Sequence, residues 1–149
     1  NDKILLNGKS VGREIRSTRV ADNVSTVAKM AVVRHKMVEL QQKAAQHGKI
    51  IMDGRDIGYV VLPNANVKIF LTASVEERAK RRFLENQLAG KKETYEEILE
   101  NIISRDFKDS NRDLNPLRQA DDAILLDTTI MNIDEVVSEI VRIIKERLN

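Results

Sequence analysis

The stretch IIMDGRDIG, residues 50–58, joins a short apolar run to a turn that is dense in charge. The run at 50–52 is typical of a short strand buried on both faces, and the charged turn at 53–56 follows it at once. In open α/β sheets, ligands bind beside the loops that leave the carboxyl ends of the strands. The stretch therefore predicts a ligand site at a strand end, and an ordinary Asp-Gly surface turn with an ion pair remains the alternative.

Strand and helix signals alternate on the carboxyl side of this stretch. Apolar runs at 67–71 and 123–127 are typical of further strands. Helix starts are marked by capping residues with Glu three positions later, and these pairs are Ser74 with Glu77, Thr94 with Glu97, and Asn132 with Glu135. This order indicates an α/β domain with a parallel sheet and flanking helices.

Three further segments carry structural predictions. Residues 4–11, ILLNGKSV, predict a hairpin around Asn-Gly, and residues 24–45 predict one continuous helix. The buried stripe predicted for that helix is Met30, Val33, Met37 and Leu40. The last helix is predicted to bury Ile133, Val136, Val137, Ile140, Ile143 and Ile144.

Composition excludes several classes of protein. No apolar run approaches the roughly 20 residues that span a bilayer, so no membrane partner is expected. A net charge of +2 and an aromatic content of 3% disfavour an RNA-binding or other nucleic-acid-binding module. The chain has no cysteine, which fits a reducing compartment, and we predict a cytoplasmic location.

The helix predicted from Tyr95 changes character towards its end. Its apolar side continues into Arg105, Asp109 and Arg112, which are spaced i, i+4 and i+7. Arginine suits bidentate recognition of phosphate, and unpartnered guanidinium groups are costly to bury. The stripe therefore predicts an anion site, with salt bridges to neighbouring aspartates as the alternative. Arg78 and Arg82 form a second cluster on the preceding helix, so a polyphosphate could be held from several sides.

Four motifs together resemble those of bacterial cytidylate kinases. They are DGRDIG at 53–58, VVLPNANVKIFLTASVEERAKRR at 60–82, RDFKDSNR at 105–112 and ADDAILLDTT at 120–129. The resemblance runs in order along essentially the whole chain. It implies a P-loop nucleoside monophosphate kinase fold that transfers phosphoryl from ATP, with Mg2+, to CMP or dCMP.

The same resemblance implies roles for the phosphate-binding residues. Arg55 resembles the arginine that binds the acceptor phosphate, and Arg112 resembles a second one. Arg105 and Asp109 resemble residues near the sugar and phosphate of CMP. Asp53 resembles a carboxylate that holds magnesium through water.

Base recognition and the lid complete the implied site. Asp56, Ser25 and Arg34 resemble groups that read cytosine, while Arg78 and Arg82 resemble arginines at the start of a mobile lid. The implied domains are 1–47, the last part of an inserted CMP-binding region, and 48–149, the kinase core with a lid at roughly 82–108.

Several departures from the family pattern qualify these expectations. The pattern G-x-x-x-x-G-K-[ST] is absent from the 149 residues. We therefore expect an N-terminally truncated kinase that lacks its phosphate loop and its first strand, which would lie between 50–52 and 67–71. Tyr59 replaces a small residue, and Ala31 stands where a proline often separates two helices. A non-catalytic nucleotide-binding or regulatory domain is the alternative; the complete enzyme is expected to be a monomer, with pairing of this chain to another left open.

Overall fold

Asn7 and Gly8 turn the chain back on itself near its start. Both have positive φ, 50° and 78°, as a type I′ hairpin turn requires. Strands β1 (Leu5–Leu6) and β2 (Lys9–Ser10) pair antiparallel on either side, which confirms the predicted hairpin. The structure is a computed structural model that describes residues 4–12, 14–28, 30–46 and 48–148.

The helix predicted over 24–45 is two helices, so that prediction is wrong. A 3₁₀ turn at Glu14–Arg16 leads into α1 (Thr18–Ala28), and α2 spans Ala31–Ala45. Met30 lies between them with an extended backbone, φ −67° and ψ 118°. Apolar periodicity ran across the break because neither proline nor glycine marks it in the sequence.

The predicted buried stripe of α2 is also wrong. Met30, Met37 and Leu40 are about half exposed, and no residue of α2 is buried. In this first unit of the chain, residues 1–49, α2 packs against α1, which leaves one side of α2 open to solvent.

The second unit, residues 50–149, contains a parallel pair of strands. β3 (Ile69–Thr72) and β4 (Ile124–Asp127) pair in register, with Ile69 opposite Ile124 and Thr72 opposite Asp127. Parallel pairing of strands joined through helices confirms the α/β class in its coarse form. This pairing does not bear on a phosphate loop, so that part of the expected fold stays a prediction.

Residues 50–52 do not form the predicted strand. The structure assigns no ladder to them, and Ile51 is 92% exposed. A strand requires a hydrogen-bonding neighbour, and within the described residues β3 pairs only with β4. Since no ladder joins 50–52 to β3, the position of an intervening strand stays a prediction.

Capping residues begin the three helices of this unit, as predicted. Helix α3 (Val75–Leu88) starts where Ser74 Oγ accepts from the Glu77 amide, and α4 (Tyr95–Ser110) has a full capping box between Thr94 and Glu97. Helix α5 (Ile133–Leu148) has a reciprocal pair, because the Asn132 side chain accepts from the Glu135 amide and Glu135 accepts from the Asn132 amide. Each such cap contributes about 1 kcal/mol to helix stability.

The core of this unit collects apolar side chains from both sheet and helices. Its buried members include Val61, Ala73, Ala79, Ile98, Ala120, Leu126 and Ile143. Two residues predicted to be buried on α5 are instead exposed, Ile133 at 79% and Val137 at 55%. They lie one helical turn apart, on a side of α5 where the described residues supply too little cover. Within the described part, no helix combines the length and apolar character needed to cross a bilayer.

Lys68, just before β3, forms an ion pair with Asp122 in the segment before β4. Its side chain is 7% exposed, and its Nζ donates to both carboxylate oxygens of Asp122, at 2.9 and 2.8 Å. The Pro63 carbonyl accepts a further hydrogen bond from the same ammonium. This contact ties together the amino ends of the two paired strands.

Replacing Asp122 with asparagine should lower the melting temperature at pH 7 but not in acid. The hydrogen bond from Lys68 holds the pKa of Asp122 below its ordinary value of 3.8. A depressed carboxyl pKa contributes stability above the unfolded value, and that contribution is lost as pH falls through the folded pKa. Thermal unfolding followed by circular dichroism should therefore separate wild type from Asp122→Asn at pH 7, and the two should converge at about pH 2. Identical melting at pH 7 would contradict this assignment.

Candidate functional site

The charged turn at 53–56 has a tightly packed backbone. A Cβ on Gly54 would lie 2.8 Å from Ile57 Cγ1, so this close approach requires glycine. The turn leads into a π-helical turn at Ile57–Val61. Asp56 is buried at 4% exposure, whereas the side chain of Arg55 is 40% exposed.

Three arginines surround the carboxylate of Asp109 on α4. Arg55 Nε lies 3.2 Å from Oδ2, Arg105 Nε lies 3.8 Å from the same oxygen, and Arg112 Nη2 lies 3.6 Å from Oδ1. The structure thus brings Arg55 of the turn together with Arg105 and Asp109 on α4 and with Arg112. The predicted helical stripe is wrong at its last member, because α4 ends at Ser110 and Arg112 lies beyond it. We call these four residues the Asp109 cluster.

The contacts between the three arginines and the Asp109 carboxylate are ion pairs rather than well-aligned hydrogen bonds. Asp109 and Arg112 are largely buried, with side chains 16% and 13% exposed. Even so, neither Asp109 Oδ2 nor Arg112 Nη2 makes a hydrogen bond to any described residue. A buried charged donor without a hydrogen bond costs about 1–3 kcal/mol or more. An anion seated there would remove that cost.

Charge in the Asp109 cluster is unbalanced. Three guanidinium groups meet a single carboxylate, which leaves two positive charges that the carboxylate does not neutralise. A phosphate monoester carries about −1.5 to −2 at pH 7. The cluster therefore matches a phosphate monoester in both charge and hydrogen-bonding chemistry.

Arg78 connects the carboxyl-terminal part of α4 to the carboxyl end of β3. Its Nε donates to the carbonyl of Ala73, which directly follows β3, at 3.0 Å, and its Nη1 lies 2.8 Å from Asp106 Oδ2. Asp106 precedes Asp109 by about one turn of α4, or roughly 4.5 Å along its axis. The Asp109 cluster thus lies near a strand end, where α/β folds bind ligands.

The other arginines of α3 are used differently. Arg81 donates to the carbonyls of Thr128 and Met131, at 2.6 and 3.2 Å, and so fastens α3 to the segment after β4. Arg82 is exposed and has no ion pair with any described residue. Arg78 and Arg82 are therefore placed on one helix, the first engaged with Asp106 and the second free to meet a ligand.

Three further predicted site residues lie in the turn at 53–56 and in the helices of the first unit. Asp53 is exposed in the turn. Ser25 lies in α1, although its side chain is not among those described, and Arg34 lies in α2. The break at Met30 removes the geometry of one unbroken helix, in which 25 and 34 would face opposite sides.

Sequence reasoning missed a second cluster of polar side chains, which lies at the amino ends of β3 and β4. A pocket of about 370 Å3 is lined there by Tyr59, Lys68, Arg118 and Asp122, among others. The Arg118 guanidinium lies 4.5 Å from the centre of the Tyr59 ring. None of the Asp109 cluster lines this pocket, so we do not assign it to phosphate binding. Only Tyr59 carried a signal in the sequence, as a departure from the family pattern.

Comparison with known proteins matches nearly all of the chain. A family model described as cytidylate kinase matches residues 1–146. The chain is 52% identical over 145 residues to a cytidylate kinase from Lactobacillus johnsonii, covering 97% of this chain and 63% of that protein. A cytidylate kinase from Limosilactobacillus reuteri is 54% identical over 145 residues, covering 97% and 64%. The chain therefore spans less than two thirds of the length of these curated relatives.

Proposed function

Because the chain belongs to the cytidylate kinase family, we propose that it carries the acceptor-phosphate site for phosphoryl transfer from ATP to CMP or dCMP. The products would be ADP and CDP or dCDP. The observation that supports this most directly is the Asp109 cluster, with its surplus of positive charge and a largely buried Arg112 guanidinium group whose Nη2 lacks a hydrogen bond to described residues.

The phosphate of CMP would take the place between Arg55 and Arg112. Arg112 is anchored to the end of α4 because its Nε donates to the Asp109 carbonyl, at 3.3 Å, and this leaves its terminal nitrogens for a ligand. Phosphoryl transfer depends mainly on positioning and on neutralising charge, which two fixed guanidinium groups supply. Asp109 would orient the arginines and accept from ribose hydroxyls, with Arg105 beside it.

The contacts to the base and from the lid are proposed from the resemblance to the family. On that basis we assign Asp56, Ser25 and Arg34 to cytosine and Arg78 and Arg82 to the transferring phosphoryl group. Arg82 suits this role because it is exposed and has no ion pair with described residues. Arg78 would have to share its guanidinium group with Asp106.

Magnesium would enter with ATP. No group of three or more candidate ligands lies together in the described part of the chain. Mg2+ commonly takes only one or two carboxylates from the protein and otherwise binds water and substrate phosphates, so a single exposed carboxylate fits it. Asp53 would hold the ion through water, and the ion would neutralise charge on the ATP phosphates. We place the activity in the cytoplasm.

A second candidate is nucleotide binding without turnover by this chain. The pattern that cradles the phosphates of ATP is absent from its 149 residues. CMP binding needs only the acceptor side, so binding and turnover are separable properties of the chain.

Calorimetric titration with CMP and with cytidine tests the proposed site. We expect CMP to bind about 100-fold more tightly than cytidine, because two charge-assisted contacts contribute about 1.5–3 kcal/mol each, less the cost of separating the existing ion pairs. AMP serves as a control for the base and should bind more weakly than CMP. Equal affinity for CMP and cytidine would contradict phosphate binding at the Asp109 cluster.

A further inference from the structure

We propose that Tyr59 is a positioning residue, which holds the loop that carries Arg112 against the turn that carries Arg55. This inference rests on the proposed function, since it concerns the geometry of the same phosphate site. Tyr59 lies outside the Asp109 cluster, and it contacts both the turn that carries Arg55 and the loop that carries Arg112.

Tyr59 is built into the segment that follows Arg55. The π-helical turn starts directly after Asp56, and the Asp56 carbonyl accepts from the amides of Tyr59 and Val60, at 3.4 and 2.9 Å. One short hydrogen-bonded turn thus separates the phosphate-binding arginine from the tyrosine ring. A displacement of the ring would be transmitted to the turn at 53–56.

The far side of Tyr59 contacts the loop between α4 and β4. Its hydroxyl donates to the Pro116 carbonyl, and the Arg118 guanidinium covers its ring at 4.5 Å. The residue between these two, Leu117, donates its amide to the carbonyl of Asp109 at 2.7 Å. Three consecutive loop residues are therefore fixed, two on Tyr59 and one on α4.

These contacts close a circuit around the phosphate site. Arg55 forms an ion pair with Asp109, and the Tyr59 hydroxyl donates to the Pro116 carbonyl. Leu117, next to Pro116, donates its amide to the Asp109 carbonyl, which completes the circuit. Arg112 lies on the loop inside this circuit, between Asp109 and Pro116. The circuit limits how far Arg112 can move from Arg55, which matters because small displacements of positioned groups reduce binding and rate sharply.

We call the contacts of Tyr59 with Pro116 and Arg118 the tether. Hydrogen exchange tests the tether without any ligand. In Tyr59→Phe, which keeps the ring and removes the hydroxyl, amides of residues 111–119 should exchange about threefold to tenfold faster, as expected for one lost hydrogen bond. Tyr59→Thr, which also removes the ring from Arg118, should increase the exchange further. Tyr95→Phe is the matched control, because the Tyr95 ring packs on Phe83 and its hydroxyl has no hydrogen bond to a described residue. Unchanged exchange at 111–119 in both Tyr59 variants would overturn the tether.

The affinities for CMP and cytidine then distinguish a positioning role of Tyr59 from a general effect on stability. A positioning role predicts that Tyr59→Phe weakens CMP about threefold to tenfold while cytidine affinity changes less, because only the phosphate contacts Arg112. Equal weakening of both ligands, or none, with faster exchange at 111–119 would overturn positioning. If wild type fails to prefer CMP over cytidine, the proposed function fails, and the exchange data still decide whether the tether exists.

Discussion

Replacing Arg112 with alanine should reduce the affinity for CMP by about 100-fold, because a largely buried guanidinium group then no longer meets the phosphate. Arg112→Lys keeps the charge but loses the planar pair of donors, so an intermediate loss of about tenfold is expected. Titration calorimetry with CMP measures both losses. The fold should survive the change, since Arg55 and Arg105 still face Asp109.

Arg142→Ala is the matched control for this experiment. Arg142 lies on α5, is 54% exposed, and pairs with Glu139 and Glu146 on the same helix. Its removal should leave CMP affinity unchanged. The assignment of Arg112 would be contradicted if Arg112→Ala and Arg142→Ala both bound CMP as wild type does. Comparable melting temperatures for the two variants would exclude unfolding as the cause of a loss.

The second large effect concerns turnover by the 149-residue chain. We expect its rate of ADP formation with ATP and CMP to be at least about 10⁴-fold below that of a full-length cytidylate kinase such as the one from Limosilactobacillus reuteri. Each lost donor to a transition-state oxygen costs about 10²–10³ in rate, and the pattern G-x-x-x-x-G-K-[ST], which is absent from the 149 residues, would supply several. A coupled assay of ADP release measures the difference.

Binding provides the internal control for the turnover experiment. The same preparation should bind CMP more tightly than cytidine, which separates an inactive site from a misfolded chain. Turnover within tenfold of the full-length relative would contradict the expectation, because the chain would then have to cradle the ATP phosphates without the pattern G-x-x-x-x-G-K-[ST].

Local signals predicted the structure well where neighbours in sequence decide it. The caps at Ser74, Thr94 and Asn132 begin helices at the expected residues because the capping bonds span three positions. Arg105 and Asp109 share a face of α4 for a similar reason, since helical spacing fixes which side chains lie together, whereas Arg112 lies beyond the end of α4 at Ser110. The roles of those residues came from the resemblance to a family and remain proposals.

Features that depend on distant partners were predicted poorly. Residues 50–52 have a strand-like composition but no ladder, because a strand exists only beside another strand. Met37 on α2 and Ile133 on α5 follow apolar periodicity but are exposed, because periodicity states which side is apolar and not whether anything covers it. The contact of Tyr59 with Arg118 joins two loops that no spacing rule relates.

Nuclear magnetic resonance of the arginine side chains tests the central claim most directly. In a titration of the 15N-labelled chain with CMP, the Nε–H signals of Arg55 and Arg112 should shift together with one dissociation constant, and cytidine should leave them nearly unchanged. The Arg142 signal reports on an ion pair within α5 and should not move with either ligand. Shifts confined to other arginines, or equal shifts with cytidine, would contradict phosphate binding at the Asp109 cluster.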